Sequence, residues 1–189
     1  MNPLAEHLQQ SAEIAVIPTD TVYGVVARVS DASAVARLYK LKQREAKPGT
    51  IVAASIDQLV ELGVKRRYLT AVEQFWPGAV SVIIPCGNEL EYIHQGVGSL
   101  AFRIPDSQRL LDILKETGPL LTSSANHPGE PPATTIDEAK HYFGNEVSWY
   151  EDGGTLQGEP STVIRILDDA IEIVRLGAVK IDEYGRKIS

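Results

Sequence analysis

Short apolar runs alternate with helix-forming segments along this chain, and this alternation is the feature that most restricts its fold. Residues 14–18, 23–29 and 79–85 have the length and the β-branched content of buried strands. Asp31 is suited to cap a helix on which Leu38 and its apolar neighbours share one side. Strands linked by helices in one chain predict an α/β fold.

The rest of the sequence continues this pattern. Further strands are predicted at 50–55, at 99–105 and from 119 onward. Further helices are predicted near 4–10, 57–62, 67–76, 107–117 and 135–143. Residues 161–167 and 171–176 flank Asp168, Asp169 and Ala170 and predict a β-hairpin, so the sheet should be mixed. We therefore expect one domain over 1–189, a twisted mixed sheet with flanking helices, with a core of about 10–176 and a peripheral tail at 177–189.

Composition restricts the class of protein further. The 189 residues are 43% hydrophobic and 23% charged, which is enough for one compact domain and unlike a disordered chain. The longest mostly apolar run, residues 79–87, is too short to cross about 30 Å of hydrocarbon. The first Lys or Arg is Arg28 and the single cysteine is Cys86, so we expect a cytoplasmic protein without a signal peptide, a membrane span or an internal disulfide.

The charge balance and several missing motifs exclude other functions. A net charge of −7 opposes nonspecific binding to nucleic acid, so an anionic ligand must be bound by a local basic patch. The sequence has no Gly-x4-Gly-Lys-Ser/Thr phosphate loop, no Gly-x-Gly-x-x-Gly turn and no Gly-x-Ser-x-Gly elbow. Its four histidines and one cysteine lack the spacing of a metal site, so no resident metal is expected.

Four cations close together form such a patch: Lys40, Lys42, Arg44 and Lys47. On a continuous helix, residues two apart would point about 200° apart. Lys42 and Arg44 can therefore reach one ligand only if the helix ends there, and the Pro-Gly pair that follows favours such an end. A guanidinium and an ammonium together suit phosphate oxygens. The alternative is that these cations only complement the dipole of a helix C-terminus.

Two polar segments directly follow predicted strands. Residues 119–126 end in the polar run TSSAN, and residues 18–24 read PTDTVYG. Ligands of open α/β sheets bind beyond the carboxyl ends of strands, where small hydroxyls and an amide donate and accept hydrogen bonds. Each segment by itself is also typical of a plain polar turn.

Taken together, these segments resemble the YrdC-like family of threonylcarbamoyl-AMP synthases from about residue 14 to residue 175. Three more segments complete the match: FWPGAVSVII at 75–84, SLAFRIPD at 99–106 and PSTVIRI at 160–166. The specific marks are Lys-x-Arg at Lys42 and Arg44, and Ser-x-Asn at Ser124 and Asn126. The resemblance implies the short, single-domain form of the family, with a concave basic cavity on one side of the sheet.

The resemblance implies an enzyme, a nucleotidyltransferase that joins L-threonine, bicarbonate or CO2, and ATP into L-threonylcarbamoyl-AMP and releases pyrophosphate. A separate tRNA threonylcarbamoyl transferase complex would then modify the adenosine beside the anticodon. Mg²⁺ would arrive with ATP, held mostly by phosphate oxygens and water. Attack of a carbamate oxygen on the α-phosphorus needs positioning and charge stabilisation more than a strong base, which suits a site rich in Lys, Arg, Ser and Thr.

The resemblance also implies roles for particular positions. The catalytic positions, in the nucleotide and phosphate site, are Lys42, Arg44, Ser124 and Asn126. The ATP-binding positions are Arg44, Pro48, Ser99, Ser124, Pro132 and Arg175. The threonine-binding positions are Thr21, Arg103, Thr122 and Ser161, with Arg103 the natural partner of the threonine carboxylate.

Three features qualify this assignment. Glu45 places a negative charge beside the phosphate cations, and Ala53 stands where many family members carry a histidine. Residues 152–161 are rich in glycine and are expected to form a mobile flap.

Two other functions stay open on the sequence alone. A basic concave face also suits a double-stranded RNA-binding, tRNA-binding or ribosome-maturation module without synthase activity. The acidic net charge and the lack of aromatic residues interleaved with basic ones argue against more than weak RNA binding. A paralogue with a lost or changed substrate is expected to lose Lys-x-Arg or Ser-x-Asn, and this chain keeps both.

Overall fold

The computed structural model describes residues 2–167, 170–182 and 184–188 and contains a nine-stranded mixed sheet. The helices are α1 (Pro3–Gln9), α2 (Ala32–Leu41), α3 (Ile56–Glu61), α4 (Arg66–Thr70), α5 (Glu91–His94), α6 (Gln108–Thr117) and α7 (Ile136–Phe143). The strands are β1 (Ile14–Pro18), β2 (Tyr23–Arg28), β3 (Thr50–Val52), β4 (Val80–Pro85), β5 (Ser99–Arg103), β6 (Leu120–Ser124), β7 (Trp149–Tyr150), β8 (Thr162–Leu167), β9 (Ala170–Arg175), β10 (Lys180–Ile181) and β11 (Lys187–Ile188). The order in the sheet is β7-β1-β2-β6-β3-β5-β4-β8-β9, and β10 pairs with β11 separately. The predicted α/β class is confirmed.

Alternation of side chains along the strands divides the core into two layers. On β1, Ile14 and Val16 pack in one cluster with residues of α2, whereas Ala15 and Ile17 pack in a second cluster with residues of α1 and α6. All four side chains are fully buried, as a strand covered on both faces requires. Helices therefore flank both faces of the sheet, as the sequence predicted. None of the helices in the described part of the chain is long and apolar enough to span a membrane.

Asp31 caps α2, as its position in the sequence predicted. Its carboxylate accepts hydrogen bonds from the backbone N–H groups of Ala12 (2.8 Å), Ser33 (2.9 Å) and Ala34 (3.1 Å). Burial raises the pKa of Asp31, but these donors outweigh burial and leave the pKa below its ordinary value of 3.8. The cap secures the start of the helix that leads into Lys42.

We expect Asp31→Ala to lower the free energy of unfolding by about 1–2 kcal/mol at neutral pH. Because the folded-state pKa lies below 3.8, this stabilisation is present above that pH and is lost as the pH falls through the folded value. Urea denaturation at neutral pH and in acid measures both effects. Asp31→Asn keeps a capping oxygen and is the matched control. If the difference in unfolding free energy between wild type and Asp31→Ala stayed constant in acid, this account would be contradicted.

The helix predicted at 67–76 is shorter than expected. α4 ends at Thr70, and a 3₁₀ turn follows at Glu73–Phe75. The backbone N–H groups of Val72 and Phe75 donate to carbonyls three residues earlier, as 3₁₀ geometry requires. Three apolar residues, Leu69, Val72 and Phe75, are buried at this spacing of three. Their burial favours the tighter winding over a continued α-helix.

Three predicted strands also end earlier than expected. The strand at 50–55 stops at Val52, because the Ser55 side chain accepts a hydrogen bond from Gln58 N and caps α3. The strands predicted at 23–29 and 99–105 end at Arg28 and Arg103. Arg103 therefore stands at the carboxyl end of β5, where its side chain can enter a site beside the sheet.

The predicted C-terminal hairpin is confirmed, since β8 and β9 pair antiparallel. Its expected turn at Asp168 and Asp169 lies outside the described residues. The core is wider than the expected 10–176, because Leu4, Leu8 and Ile181 are each at most 4% exposed. The segment after residue 176 is therefore not wholly peripheral, and Ile181 of β10 packs in the same cluster as α2.

Candidate functional site

A cavity of about 450 Å³ lies on the sheet face that α1 and α6 cover elsewhere. Alternation places Thr122 and Ser124 on the same face as Leu120, and Thr50 on the same face as Val52. Leu120 and Val52 pack in the cluster with α1 and α6, whereas the three polar side chains line the cavity. One sheet face thus carries an apolar layer and, next to it, a polar site.

Nine of the twelve residues to which the sequence assigned a role line this cavity. They are Thr21, Arg44, Pro48, Ser99, Arg103, Thr122, Ser124, Ser161 and Arg175. The other three, Lys42, Asn126 and Pro132, do not line it. The fold therefore collects residues that are far apart in the sequence, although their contacts with a ligand stay a prediction.

The chain turns sharply after α2, as Lys-x-Arg followed by Pro-Gly predicted. α2 ends at Leu41, and Gln43 and Ala46 adopt left-handed backbone conformations with φ of 48° and 50°. This turn separates the directions of the two cations: Lys42 is only 2% exposed and lies behind the cavity, whereas Arg44 lines it.

Lys42 is held by three oxygen atoms rather than exposed to a ligand. Its Nζ donates to the carbonyl oxygen of Ser124 at 2.6 Å, to Asn126 Oδ1 at 2.9 Å and to the carbonyl oxygen of Asn126. Ser124 Oγ donates to the same Asn126 Oδ1 at 2.7 Å. Burial, and after it the charge of Arg44, lowers the pKa of Lys42 to about 7. Lys42 and Asn126 thus hold the turn that carries Ser124, and their contacts with a nucleotide stay a prediction.

Arg103 lines the cavity and has one buried hydrogen-bond donor without a partner in the described part of the chain. It is 3% exposed, and its Nη1 donates to Asp20 Oδ1 at 2.7 Å. Its Nε is buried and has no hydrogen-bond partner among the described residues. Burial lowers the pKa of Arg103, and the Asp20 charge opposes that effect. A buried donor without a partner costs free energy unless a ligand satisfies it.

A β-bulge directs Arg175 into the cavity. The register of β8 against β9 shifts between Val163 and Ile164, and the consecutive residues Val174 and Arg175 both line the cavity. The Arg175 guanidinium also donates to the carbonyl oxygen of Ser161 at 2.7 Å. This bond ties the edge strand to the start of β8, so that Arg175 and Ser161 line the cavity together.

Five cations line the cavity, and no Asp or Glu does among the described residues: Arg44, Lys47, Arg103, Arg165 and Arg175. Burial lowers the pKa of Arg175, and the charges of Arg44 and Arg103 lower it further. Guanidinium groups stay protonated in proteins. Arg103 and Arg165 have Asp20 and Glu172 as partners, whereas Arg44, Lys47 and Arg175 have no carboxylate partner among the described residues. The cavity therefore suits a polyanionic ligand, in a protein whose net charge is −7.

Sequence reasoning missed Arg165 as a site residue. Arg165 lies on β8, and alternation places it on the same face as Val163 and Ser161, which both line the cavity. Its side chain also pairs with Glu172 at 3.7 Å. Counting every second residue from Ser161 would have found it, because strand periodicity decides which side chains share a face.

Three other positions lie away from the cavity. Pro132 is on the loop after β6, and its neighbour Ala133 donates to the carbonyl oxygen of Ala125 at 2.9 Å, which packs this loop behind the strand. Glu45 is exposed and does not line the cavity. Ala53 is fully buried in the cluster with α2. Neither of the two departures from the family pattern therefore lies in the cavity wall.

The glycine-rich segment at 152–161 has no regular secondary structure and contacts the motif at 18–24. The Tyr23 hydroxyl donates to Gly154 O at 2.7 Å and accepts from Gly153 N at 2.8 Å. A Cβ on Gly158 would collide with the backbone oxygen of Thr21. These contacts anchor the segment beside a cavity residue, and its mobility stays a prediction.

Comparisons with known proteins agree with this architecture. The Sua5–YciO–YrdC family model, described as telomere recombination, matches residues 7–177. The chain is 32% identical over 182 residues to the threonylcarbamoyl-AMP synthase of Bacillus subtilis (strain 168), covering 93% of this chain and 53% of that relative. It is 31% identical over 176 residues to a putative threonylcarbamoyl-AMP synthase of Mycobacterium tuberculosis, covering 90% and 81%. The chain thus spans about half the length of the Bacillus relative.

Two solved structures share the fold. Pyrococcus abyssi Sua5 complexed with L-threonine has a TM-score of 0.82 at 27% identity, covering 93% of this chain and 53% of that chain. Escherichia coli YciO has a TM-score of 0.83 at 22% identity, covering 96% and 90%, and this likeness shows the fold alone. Because the family model matches most of the chain and a relative of similar length is 31% identical to it, this protein belongs to the Sua5–YciO–YrdC family.

Proposed function

We propose that this protein is an L-threonylcarbamoyladenylate synthase, which makes threonylcarbamoyl-AMP and pyrophosphate from L-threonine, bicarbonate or CO2, and ATP. The observation that carries the proposal is the cavity with five cations and no carboxylate in its described lining. Such a cavity suits a nucleoside triphosphate better than a neutral ligand. The names of the Bacillus and Mycobacterium relatives support the same reaction.

L-Threonine binds at the end of the cavity where Arg103 stands. The free Nε of Arg103 supports this assignment, because its donor edge matches a carboxylate. Thr21, Thr122 and Ser161 are each at most 9% exposed, line the same cavity and offer hydroxyl groups to the amine and the side chain of the amino acid.

ATP binds along the remaining wall. Arg44 and Arg175 neutralise its phosphate oxygens, and Ser99 donates a hydrogen bond to it. Ser124, whose hydroxyl proton is donated to Asn126 Oδ1, lines the same wall. Mg²⁺ arrives with ATP and is held by phosphate oxygens and water. No group of three or more His, Cys, Asp or Glu side chains that could hold a metal ion occurs in the described part of the chain.

The reaction needs no strong base from the protein. The neutral amine of threonine adds to CO2 and loses a proton, which forms a carbamate. A carbamate oxygen then bonds to the α-phosphorus as the bond to the β-phosphate oxygen breaks and pyrophosphate leaves. Negative charge grows on the transferring phosphoryl oxygens, where the guanidinium of Arg44 stabilises it. The product is a reactive mixed anhydride, which a tRNA threonylcarbamoyl transferase complex consumes to modify tRNA.

Pyrophosphate release tests the proposal directly. Purified protein is incubated with ATP, Mg²⁺ and bicarbonate, with L-threonine or with no amino acid. We expect release only with threonine, and threonylcarbamoyl-AMP in the mixture by mass spectrometry. Folded protein that releases no pyrophosphate and instead shifts RNA with a steep salt dependence would overturn the proposal in favour of an RNA-binding module.

Two glycines allow close packing around Thr122, and one of them gives a specific prediction. A Cβ on Gly24 would lie 2.7 Å from Thr122 Oγ1, and a Cβ on Gly49 would lie 2.6 Å from the Thr122 carbonyl oxygen. We expect Gly24→Ala to displace the Thr122 hydroxyl and to raise the KM for threonine about 10-fold. Steady-state pyrophosphate assays measure this change.

A double variant controls for other effects of the added methyl group. Thr122→Ala removes the hydroxyl that the new Cβ would strike, and the next atom, Thr19 Cγ2, lies at an ordinary 3.4 Å. The Gly24→Ala/Thr122→Ala protein should therefore have the KM of Thr122→Ala alone. A KM for threonine in the double variant that is a further 10-fold above that of Thr122→Ala would show that the Gly24 substitution does not act through Thr122.

A further inference from the structure

Asp20 forms a buried ion pair at the wall of the cavity that the proposed reaction leaves unexplained. Its Oδ1 lies 2.7 Å from Arg103 Nη1. The side chain of Asp20 is 7% exposed and that of Arg103 is 4% exposed. The second carboxylate oxygen of Asp20 accepts a hydrogen bond from the backbone N–H of Asp106 at 3.1 Å. Asp20 itself does not line the cavity, so it acts through Arg103 rather than on a ligand.

The shape of the guanidinium decides what this pair can do. The two donor edges of an arginine are the pair of terminal nitrogens and the edge formed by Nε and Nη2. Asp20 occupies the Nη1 end, and Nε has no partner among the described residues. Nε, on the side-on edge that binds carboxylates with two parallel hydrogen bonds, thus has no partner within the described ranges, and Arg103 lines the cavity.

We propose that Asp20 is a positioning residue for the amino-acid substrate: it fixes the Arg103 guanidinium so that its Nε edge receives the substrate carboxylate. This inference rests on the proposed function, because it takes L-threonine as the ligand. The anchor has two points, Arg103 on one oxygen and Asp106 N on the other, which prevents rotation of the Asp20 carboxylate. Residues that orient a ligand-binding group in this way typically change affinity or activity about 10- to 100-fold when replaced.

A competing electrostatic effect makes the proposal easy to test. If Asp20 acted only through its charge, removing that charge would raise the positive potential at Arg103 and tighten the binding of a carboxylate. Positioning predicts the opposite sign. Asparagine at this position cannot preserve the anchor, because its one oxygen cannot accept from both Arg103 Nη1 and Asp106 N, and its NH2 group would meet one of these donors.

The test compares two ligands by isothermal titration calorimetry, without ATP or bicarbonate. L-Threonine has the carboxylate, and L-threoninol replaces it by a hydroxymethyl group while keeping the amine and the side chain. We expect Asp20→Asn to weaken threonine binding about 10- to 100-fold and threoninol binding less than about 2-fold. Asp137→Asn, which neutralises an exposed carboxylate on α7, is the matched control and should change neither affinity.

The possible outcomes separate this inference from the proposed function. Equal losses for both ligands would assign Asp20 a general structural role and overturn the inference, and so would unchanged or tighter threonine binding. Wild-type protein that binds no threonine would overturn the proposed function and this inference with it. Thermal unfolding checks that Asp20→Asn is folded. If it is not folded, Asp20→Glu is measured instead, which keeps the charge but moves the carboxylate by one methylene. The same difference is expected between its threonine affinity and its threoninol affinity.

Discussion

Arg44→Ala is expected to lower threonine-dependent pyrophosphate release about 10²–10³-fold, the size of effect seen when one transition-state donor is lost. Arg44 is the cation of the Lys-x-Arg pair that lines the cavity, and it lies close enough to Arg175 for its charge to lower the pKa of that residue. Its removal leaves the charge that develops on the phosphoryl oxygens with one guanidinium fewer. Steady-state kinetics with saturating threonine and ATP measure the loss.

Arg44 also has a local structural role, which the controls must separate from chemistry. Its Nη1 donates to the carbonyl oxygens of Lys47 at 3.2 Å and Pro48 at 3.4 Å. Arg44→Lys keeps the charge and loses the planar fork, so it should recover only part of the activity. Arg67→Ala, on the exposed surface of α4, should have wild-type rates. Full activity in Arg44→Ala would remove Arg44 from the site.

Lys42→Met should produce the largest loss of stability among single substitutions at the site. The variant keeps the length of the side chain but leaves two carbonyl oxygens and Asn126 Oδ1 without the ammonium that binds them. The Asn126 carbonyl oxygen then loses its donor, whereas the Ser124 carbonyl oxygen keeps Asn126 N at 3.0 Å and Asn126 Oδ1 keeps Ser124 Oγ at 2.7 Å. The expected cost is therefore about 1–3 kcal/mol. Urea denaturation measures this cost, and Lys40→Met, an exposed lysine on the same helix, is the matched control.

The pH dependence of the Lys42→Met deficit gives a second, independent check. The pKa of Lys42 falls from 10.5 to about 7 on folding, because burial disfavours the charged form. Between these two pH values the unfolded chain binds more protons than the folded one, so wild-type stability rises with pH across that window. The variant lacks this group. The difference in unfolding free energy between wild type and Lys42→Met should therefore increase from pH 7 to about pH 9. A difference that decreases over this range would contradict a lowered pKa for Lys42.

The sequence predicted most of the local structure, because short-range chemistry determines it. The cap at Asp31 and the end of α2 before Arg44 follow from residues next to them in the chain. The errors also have local causes. Leu69, Val72 and Phe75 are buried at a spacing of three residues, and the chain there forms a 3₁₀ turn. A search for α-helical spacing does not detect this pattern.

The site was predictable only in part. Lys-x-Arg and Ser-x-Asn identified the family and contributed Arg44 and Ser124 to the cavity wall, whereas Lys42 and Asn126 do not line it. In the structure Lys42 binds oxygens that lie 82 and 84 residues away along the chain. A motif records which residue types are present, and it does not record which of two cations the backbone turns inward.

The amino-acid sequence by itself determined the α/β class, most of the strands and helices in their order, and membership of the family, because periodicity, caps and motif spacing are properties of neighbouring residues. The short elements α5, β7, β10 and β11 were not predicted. Only the tertiary structure decided that Lys42 binds oxygens of Ser124 and Asn126 and that Asp20 pairs with Arg103, 83 residues away. Both depend on which strands become neighbours in the sheet. The burial of a charge and the choice of its partner follow from that pairing, so no local pattern could have specified them.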